Sequence, residues 1–363
     1  MSDFDMHWLH FTDLHVGMHD QNWLWPEYKR YLFEDFERIA SKIAKLDFVI
    51  FSGDLVQSGT KFEFDRLDEV LGEIWAKFKQ IGSNPQLIHI PGNHDLERPN
   101  NTDPKSLLLD KWWDFPQVRQ DFFSGKYEYL DFVNKAFLNY SDWSSRASHK
   151  FPIPLPSSSG GLLPGDKAYR ISISEIKVGV VCLNSTWLQL GGGNYEGKLS
   201  IEPRQFQKIV ENDPAKWCAQ NDVNFIVTHH PTNWLHTNSV DLWNSDINPA
   251  GRFDLHFFGH MHESSTSSAS SFGSQLRNVT QGVSLFGLEH VEGQNHRRLN
   301  GYSVGRISQQ NGSRELRMWP RLLRKTGAGM HHLGPDPNYI LEEDNSFVLS
   351  TRVMPNLKKK TVK

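Results

Sequence analysis

Five short apolar runs, each ending in a small polar motif, constrain this chain more than any other feature. Trp8-Leu9-His10-Phe11 runs into Thr12-Asp13-Leu14-His15, and Phe48-Val49-Ile50-Phe51 into Ser52-Gly53-Asp54. Leu87-Ile88-His89-Ile90 runs into Pro91-Gly92-Asn93-His94-Asp95, and Phe225-Ile226-Val227 into Thr228-His229-His230-Pro231. Leu255-His256-Phe257-Phe258 runs into Gly259-His260-Met261-His262. Runs this short with little alternation predict strands buried on both faces. Between the first three lie two helical patterns. One begins near Pro26 and carries Leu32, Phe36, Ile39 and Ile43; the other carries Leu67, Leu71, Ile74 and Phe78. Strand, polar loop, helix, strand predicts βαβ units and a largely parallel sheet. Such sheets collect ligands at the carboxyl ends of their strands, where all five motifs sit.

Residues 100–165 break that rhythm with a crowd of aromatics, including Trp112, Trp113, Phe122, Tyr129, Phe137 and Trp143, and close on Phe151-Pro152-Ile153-Pro154-Leu155-Pro156. The segment reads as a mainly helical insertion that returns through an extended proline-rich loop, its aromatics packed as core rather than held over the site as a lid. Strands resume at Tyr169–Ser174 and Lys177–Leu183, a helix is expected over Pro203–Glu211, and the remainder is strand-like, including Tyr302–Ile307 and Ser346–Val353. One catalytic domain is expected over 6–325, followed by a C-terminal strand segment and basic tail over 326–363 that holds Lys358, Lys359 and Lys360.

Composition excludes several classes. Thirty-nine basic against 42 acidic side chains rule out a strongly basic nucleic-acid packager. Two isolated cysteines, Cys182 and Cys218, rule out a disulfide framework and a cysteine-built zinc site. The N-terminus lacks the basic start and apolar core of a signal peptide, and no apolar run approaches the roughly 20 residues of a membrane span. A cytoplasmic location without membrane contact is the expectation.

The motif side chains are carboxylate, amide and imidazole, a ligand set suited to Mn²⁺, Fe or Zn²⁺. Residues one apart, as in Asp13/His15 and His260/His262, point the same way in an extended segment, and the glycines before Asp54, Asn93 and His260 permit sharp turns. There are enough ligands for two adjacent ions sharing one carboxylate. In this order the blocks D-x-H, GD, GNHD, H and GHxH resemble the calcineurin-like metallophosphoesterase superfamily. That resemblance implies a four-layer αββα sandwich and two divalent or trivalent metal ions, Mn with Fe or Zn as alternatives. It assigns Asp13, His15 and His262 to the first ion and Asn93, His229 and His260 to the second. Asp54 would bridge them, His229 being favoured over His230 because the family ligand often stands two residues before a proline. His94 would stabilise or protonate the leaving oxygen and Asp95 would orient His94. The implied reaction is hydrolysis of a phosphodiester by a hydroxide held between the ions.

Other histidines, His7, His10, His89 and His256, read as packing or hydrogen-bonding residues, and Gly191-Gly192-Gly193 as a flexible loop, since no Gly-Lys-Ser/Thr follows. Gly53-Asp54-Leu55 lacks the Asp-Arg pair of the protein phosphatase branch. The His-His-Pro block looks more like bacterial phosphodiesterases, while SbcD-type nucleases share the ligand pattern. A Mn-dependent nuclease, possible as the effector module of a regulated multidomain protein, is therefore the alternative, and a non-catalytic phosphate-binding module a more distant one. From His296 to Lys325 stand eight basic residues, Arg297 and Arg298 among them, with Glu315 the one acid and Tyr302 and Trp319 interleaved. Such a strip could guide nucleic acid, or be a solvated face on edge strands. His230, Arg297 and Arg298 are the candidate substrate contacts.

Overall fold

Alternate residues of the first strand, β1 (Phe4–Phe11), belong to different cores. Leu9 and Phe11 pack with helix residues Leu32, Phe36, Leu67 and Leu71, whereas Met6 and Trp8 pack with Val178, Val180, Phe225 and Phe257 of another sheet. Because strand side chains alternate in direction, a strand apolar on both faces lies between two layers. The computed structural model describes residues 3–19, 21–150, 153–173, 175–261, 264–270, 273–286 and 299–353, without the side chains of 22, 127, 146–150 and 353.

After β1 come α1 (Gln21–Ala40), β2 (Phe48–Phe51), α2 (Lys61–Gln80) and β3 (Gln86–His89). Helix α1 begins five residues before Pro26, not near it, because the Gln21 side chain docks the first turn. Its amide donates to the Leu14 carbonyl and accepts from the Gly17 N–H. A capping box starts α2, with Thr60 and Glu63 each bonding the other's backbone N–H. The expected apolar stripes of both helices are buried.

The insertion is helical: α3 (Pro104–Asp110), α4 (Pro116–Phe123), α5 (Tyr129–Ala136) and α6 (Leu138–Lys150). Trp112, Phe122, Tyr129 and Phe137 pack with Trp187 in one core, and Tyr140 and Trp143 with Phe64 in another. These aromatics are interior. Of the proline-rich return, Phe151 and Pro152 lie outside the described residues.

The second half runs β4 (Ser158–Gly160), β5 (Lys167–Ile173), β6 (Ile176–Cys182), α7 (Pro203–Ile209), α8 (Pro214–Ala219), β7 (Val223–Val227), α9 (Thr237–Leu242), β8 (Leu255–Phe258), β9 (Ser265–Ala269), β10 (Arg277–Gln281), β11 (Gly301–Gln310), β12 (Ser313–Lys325), β13 (His331–Pro335) and β14 (Phe347–Val353). Two seven-stranded sheets result. One has the order β13-β12-β11-β1-β2-β3, with β14 also on β12; the other has the order β4-β5-β6-β7-β8-β10-β9. Helices α1 and α2 cover the first sheet, the insertion with α7 and its neighbours covers the second, and the sheets pack face to face. This is the αββα sandwich. Its sheets are mixed rather than largely parallel: β1-β2-β3 and β6-β7-β8-β10 are parallel, but β11 returns antiparallel to β1 and continues as an antiparallel meander. Among the described residues no helix is long and apolar enough to cross a membrane.

The meander gives four arginines of the basic strip partners within the fold. Arg321 forms a two-pronged pair with Asp35 of α1, whose carboxylate also accepts from the Tyr302 hydroxyl at 2.7 Å. Arg314 pairs with Asp254 at 3.0 Å, Arg317 with Glu315 and Glu342, and Arg306 with Glu315 at 2.8 Å. Tyr302 and Trp319 are buried, so they offer no face for stacking bases. These four arginines tie strands of the sheet to one another, to α1 and to neighbouring loops. Arg297 and Arg298 lie outside the described residues.

Candidate metal centre

The polar motifs leave the carboxyl ends of parallel strands in both sheets and meet on one rim. β1 delivers residues 12–16, β2 delivers Ser52–Asp54, β3 leads to Asn93–Asp95, β7 ends at His229 and His230, and β8 at Gly259 and His260. The loops are stitched by backbone. The amides of Asp13, Leu14, His15 and Val16 donate to the carbonyls of Gly53, Asp54, Asp54 and Leu55.

That stitching changes how Asp13 and His15 converge. Neither is extended: their φ angles are 52° and 49°, and Asp54 (53°) and His260 (71°) share the left-handed region. Non-glycine residues adopt it at a cost, and such residues cluster at functional sites. The carboxylate and imidazole still meet, with Asp13 Oδ1 3.8 Å from His15 Nε2. The glycine reading also divides. Gly53 turns at φ 108°, whereas Gly92 serves close approach, since a Cβ there would stand 2.1 Å from Asp54 Oδ1. Gly259 resembles Gly92, its place crowded by Thr12 and Asp13.

Asp54 is the centre of the arrangement. Its Oδ1 accepts from the His94 N–H at 2.8 Å, which turns Oδ2 toward His229 Nε2 (3.4 Å) and His15 Nε2 (3.9 Å). Asp54 shares one group of ligand atoms with Asp13 and His229, and another with His15 and His94. His229 Nδ1 faces the Ser52 carbonyl at 2.9 Å and donates to it, so in the neutral ring Nε2 carries the lone pair. That atom lies 3.0 Å from Asn93 Oδ1 and 3.2 Å from His260 Nδ1.

Ions bound at about 2.0–2.2 Å hold neighbouring ligand atoms about 3.0–3.5 Å apart. The spacings around His229 Nε2 match, and lone pairs and carboxylate oxygens converge where only a cation satisfies them together. Nitrogen and oxygen donors of this kind suit Mn, Fe or Zn. The electrostatics agree. Against the effect of burial, His229, His94 and His15 hold the Asp54 carboxyl well below its usual range. Burial also opposes charge on His229, yet Asp54 and Asp13 raise it to about 9. The carboxylates demand positive charge here.

His230 stands behind this centre. Its Nε2 donates to Gln189 Oε1 at 2.8 Å, and the Ser185 hydroxyl reaches Nδ1 at 3.1 Å while accepting the N–H groups of His229 and His230. Both ring nitrogens are thus committed to protein partners, and the ring stacks on Trp234. Its ring also packs against His229 and His260, with which it forms a third group of ligand atoms within 4.8 Å of one another. Asp95 differs from the expectation that it orients His94. Its carboxylate accepts from the amides of Leu55, Val56 and Gly92, and does not touch the His94 ring. Burial and the Asp54 charge push Asp95 up to about 7, against the pull of those amides. What orients His94 is the Gln57 carbonyl, which accepts from Nδ1 at 2.8 Å. His262 lies outside the described residues.

Sequence reasoning missed Thr12, Ser185 and Gln189. Thr12 Oγ1 donates to Asp13 Oδ2 at 2.6 Å. Ser185 was within reach, because β6 ends on the same rim as its parallel neighbour β7. His10, His89 and His256 are buried hydrogen-bonding residues, on Ser52, Tyr140 and Thr228.

Comparison with curated proteins finds no match. Among solved structures, purple acid phosphatase PPD1 from yellow lupin (Lupinus luteus) aligns at 11% identity, covering 92% of this chain and 54% of that one, with a TM-score of 0.44. SoxB sulfate thiohydrolase from Thermus thermophilus aligns at 11%, covering 91% and 56%, with a TM-score of 0.37. Vps29 from Chaetomium thermophilum aligns at 10%, covering 96% and 98%, with a TM-score of 0.32. The chain spans about half the length of the lupin and Thermus chains. At these scores the alignments carry no argument about this protein. Comparison with protein families is decisive: residues 6–264, which hold every motif block, match the description "Calcineurin-like phosphoesterase". The chain that brings these carboxylates and imidazoles to one rim belongs to the calcineurin-like phosphoesterase family, metal-dependent hydrolases of phosphoesters.

Proposed function

We propose that the protein hydrolyses a small phosphodiester at a two-metal centre held by Asp13, His15, Asp54, Asn93, His229, His260 and His262. Mn is the leading metal, with Fe or Zn as alternatives. The metal ions would supply a water activated at neutral pH and a clamp on the phosphoryl oxygens. The chain's own contribution is placement. Asp54 is fixed by the His94 N–H, His229 by the Ser52 carbonyl, and the rim loops by the Asp95 clip.

One observation carries the reading of a catalytic phosphoesterase: the placement of His94. With Nδ1–H on the Gln57 carbonyl, Nε2 is left to exchange a proton in a cleft of about 300 Å³ lined by Gln57, Ser58, Leu96 and Arg98. The alcohol of a phosphoester leaves as an alkoxide that needs a proton, and a histidine at that place can deliver it. The paired arginines of the meander remove the main support for a polymer substrate.

The test is metal-dependent turnover of a chromogenic phosphodiester beside DNA and RNA oligonucleotides at matched low salt, with His94→Gln as the variant. Cleavage of the small ester is expected, with the variant roughly 100- to 10,000-fold slower on an alkyl leaving group, less affected on nitrophenolate, and unchanged in metal content. Efficient, salt-sensitive cutting of the oligonucleotides would establish the nuclease instead. Metal binding without turnover of any ester would leave a phosphate-binding module.

A further inference from the structure

We infer that Arg98 selects phosphodiesters whose leaving group carries a second anionic group, an inference that rests on the diesterase reading above. Arg98 stands four residues beyond His94 and lines the same cleft, to which no carboxylate contributes. It is exposed, and among the described residues it forms no ion pair, unlike Arg306, Arg314, Arg317 and Arg321.

Two further features make the cleft a polar subsite. Gln57 Oε1 is buried there with no hydrogen-bond partner among the described residues. Across from Arg98 lies the Gly191–Gly193 run, where a Cβ on Gly192 would stand 3.6 Å from Arg98 Nη1. The run thus forms a wall without side chains, which leaves the guanidinium open to a ligand. Arg98 also lines a second cleft of about 570 Å³, but that cleft carries Glu97, Asp103, Glu128 and Asp131, so the anionic group is expected to stop at Arg98 rather than extend past it. A planar guanidinium beside the leaving-group position fits a carboxylate or phosphate in two-pronged fashion.

The test uses the Mn-loaded full chain and two matched esters: phenyl 4-nitrophenyl phosphate, and the same diester with a carboxylate on the nitrophenyl ring. The selectivity, kcat/KM for the charged ester over kcat/KM for the neutral one, is compared between the wild type and Arg98→Ala. Selectivity is expected to fall about tenfold in the variant, mainly through KM of the charged ester. Arg98→Lys should fall between the two, and 0.5 M salt should narrow the gap. Equal selectivity in wild type and Arg98→Ala would overturn the role of Arg98. Hydrolysis of neither ester by the wild type would overturn the diesterase reading, and the selection with it.

Discussion

The centre tolerates no atom beyond hydrogen at position 92. A Cβ there would lie 2.1 Å from Asp54 Oδ1 and 2.2 Å from Asp54 N, well inside contact distance on both the carboxylate and the backbone that carries it. Asp54 cannot simply swing away, because its Oδ1 is held by the His94 N–H and its Oδ2 is aimed between His15 and His229. Gly92→Ala is therefore expected to displace the carboxylate shared by two of the three candidate ligand groups among the described residues. Metal content should fall, and activity should drop about 100-fold or more. Gly92 has an ordinary φ, so backbone strain does not enter and the sandwich should stay folded. Metal analysis beside circular dichroism separates these effects; full metal content in a folded, inactive variant would contradict the displacement.

At the scale of elements, α1 is fastened to the first sheet by one buried charge cluster. Asp35 on α1 is fully buried and bound by Arg321 of β12 and the hydroxyl of Tyr302 on β11. Removing one partner of such a pair strands the other charge in the core. Asp35→Ala is thus expected to lower unfolding free energy by about 3–5 kcal/mol, and Asp35→Ala with Arg321→Met by less than the single change. Chemical denaturation of both variants measures this; equal losses would mean Arg321 is solvated without Asp35. The same cluster shows where the sequence stopped being legible. Apolar runs and helical stripes were readable because their periodicity is local, and the motif blocks placed the rim because each follows a strand. Arg321 read as surface charge because its partner lies 286 positions away. His230 read as substrate-facing because Ser185 and Gln189, which occupy its ring, come from another strand end. The left-handed backbone at Asp13 and His15 was invisible for a different reason: Asp and His adopt it more readily than most side chains but do not require it, and here it is accompanied by hydrogen bonds to the Asp54 loop.

For the whole molecule, the burial of imidazoles on both faces of a sandwiched sheet sets a response to acid. His10 on β1 lies between the sheets with its ring against Phe257, and His256 on β8 lies on the other face of its sheet with its ring against Trp243; each is fully buried and bonded to a hydroxyl. Burial lowers both to about 3, with a small further push on His256 from His10. Between pH 6.5 and 3 the unfolded chain binds a proton at each site and the folded chain does not. Their stabilising effect is therefore complete above pH 6.5 and is lost as pH falls, by about 1.4 kcal/mol per unit and per group. Asp95 and Asp166, both raised to about 7 by burial, work with the opposite sign between about pH 4 and 7, because the folded state holds their protons. The total slope therefore mixes both signs, and a difference between two proteins isolates the histidine. His256→Gln keeps a polar group for Thr228 but has no proton to gain. Between pH 8 and pH 5 the wild type should lose about 2 kcal/mol more stability than His256→Gln, read as the gap between their denaturant unfolding curves at each pH. Parallel losses in the two proteins would mean that water reaches His256 beneath Trp243 and solvates the imidazolium there.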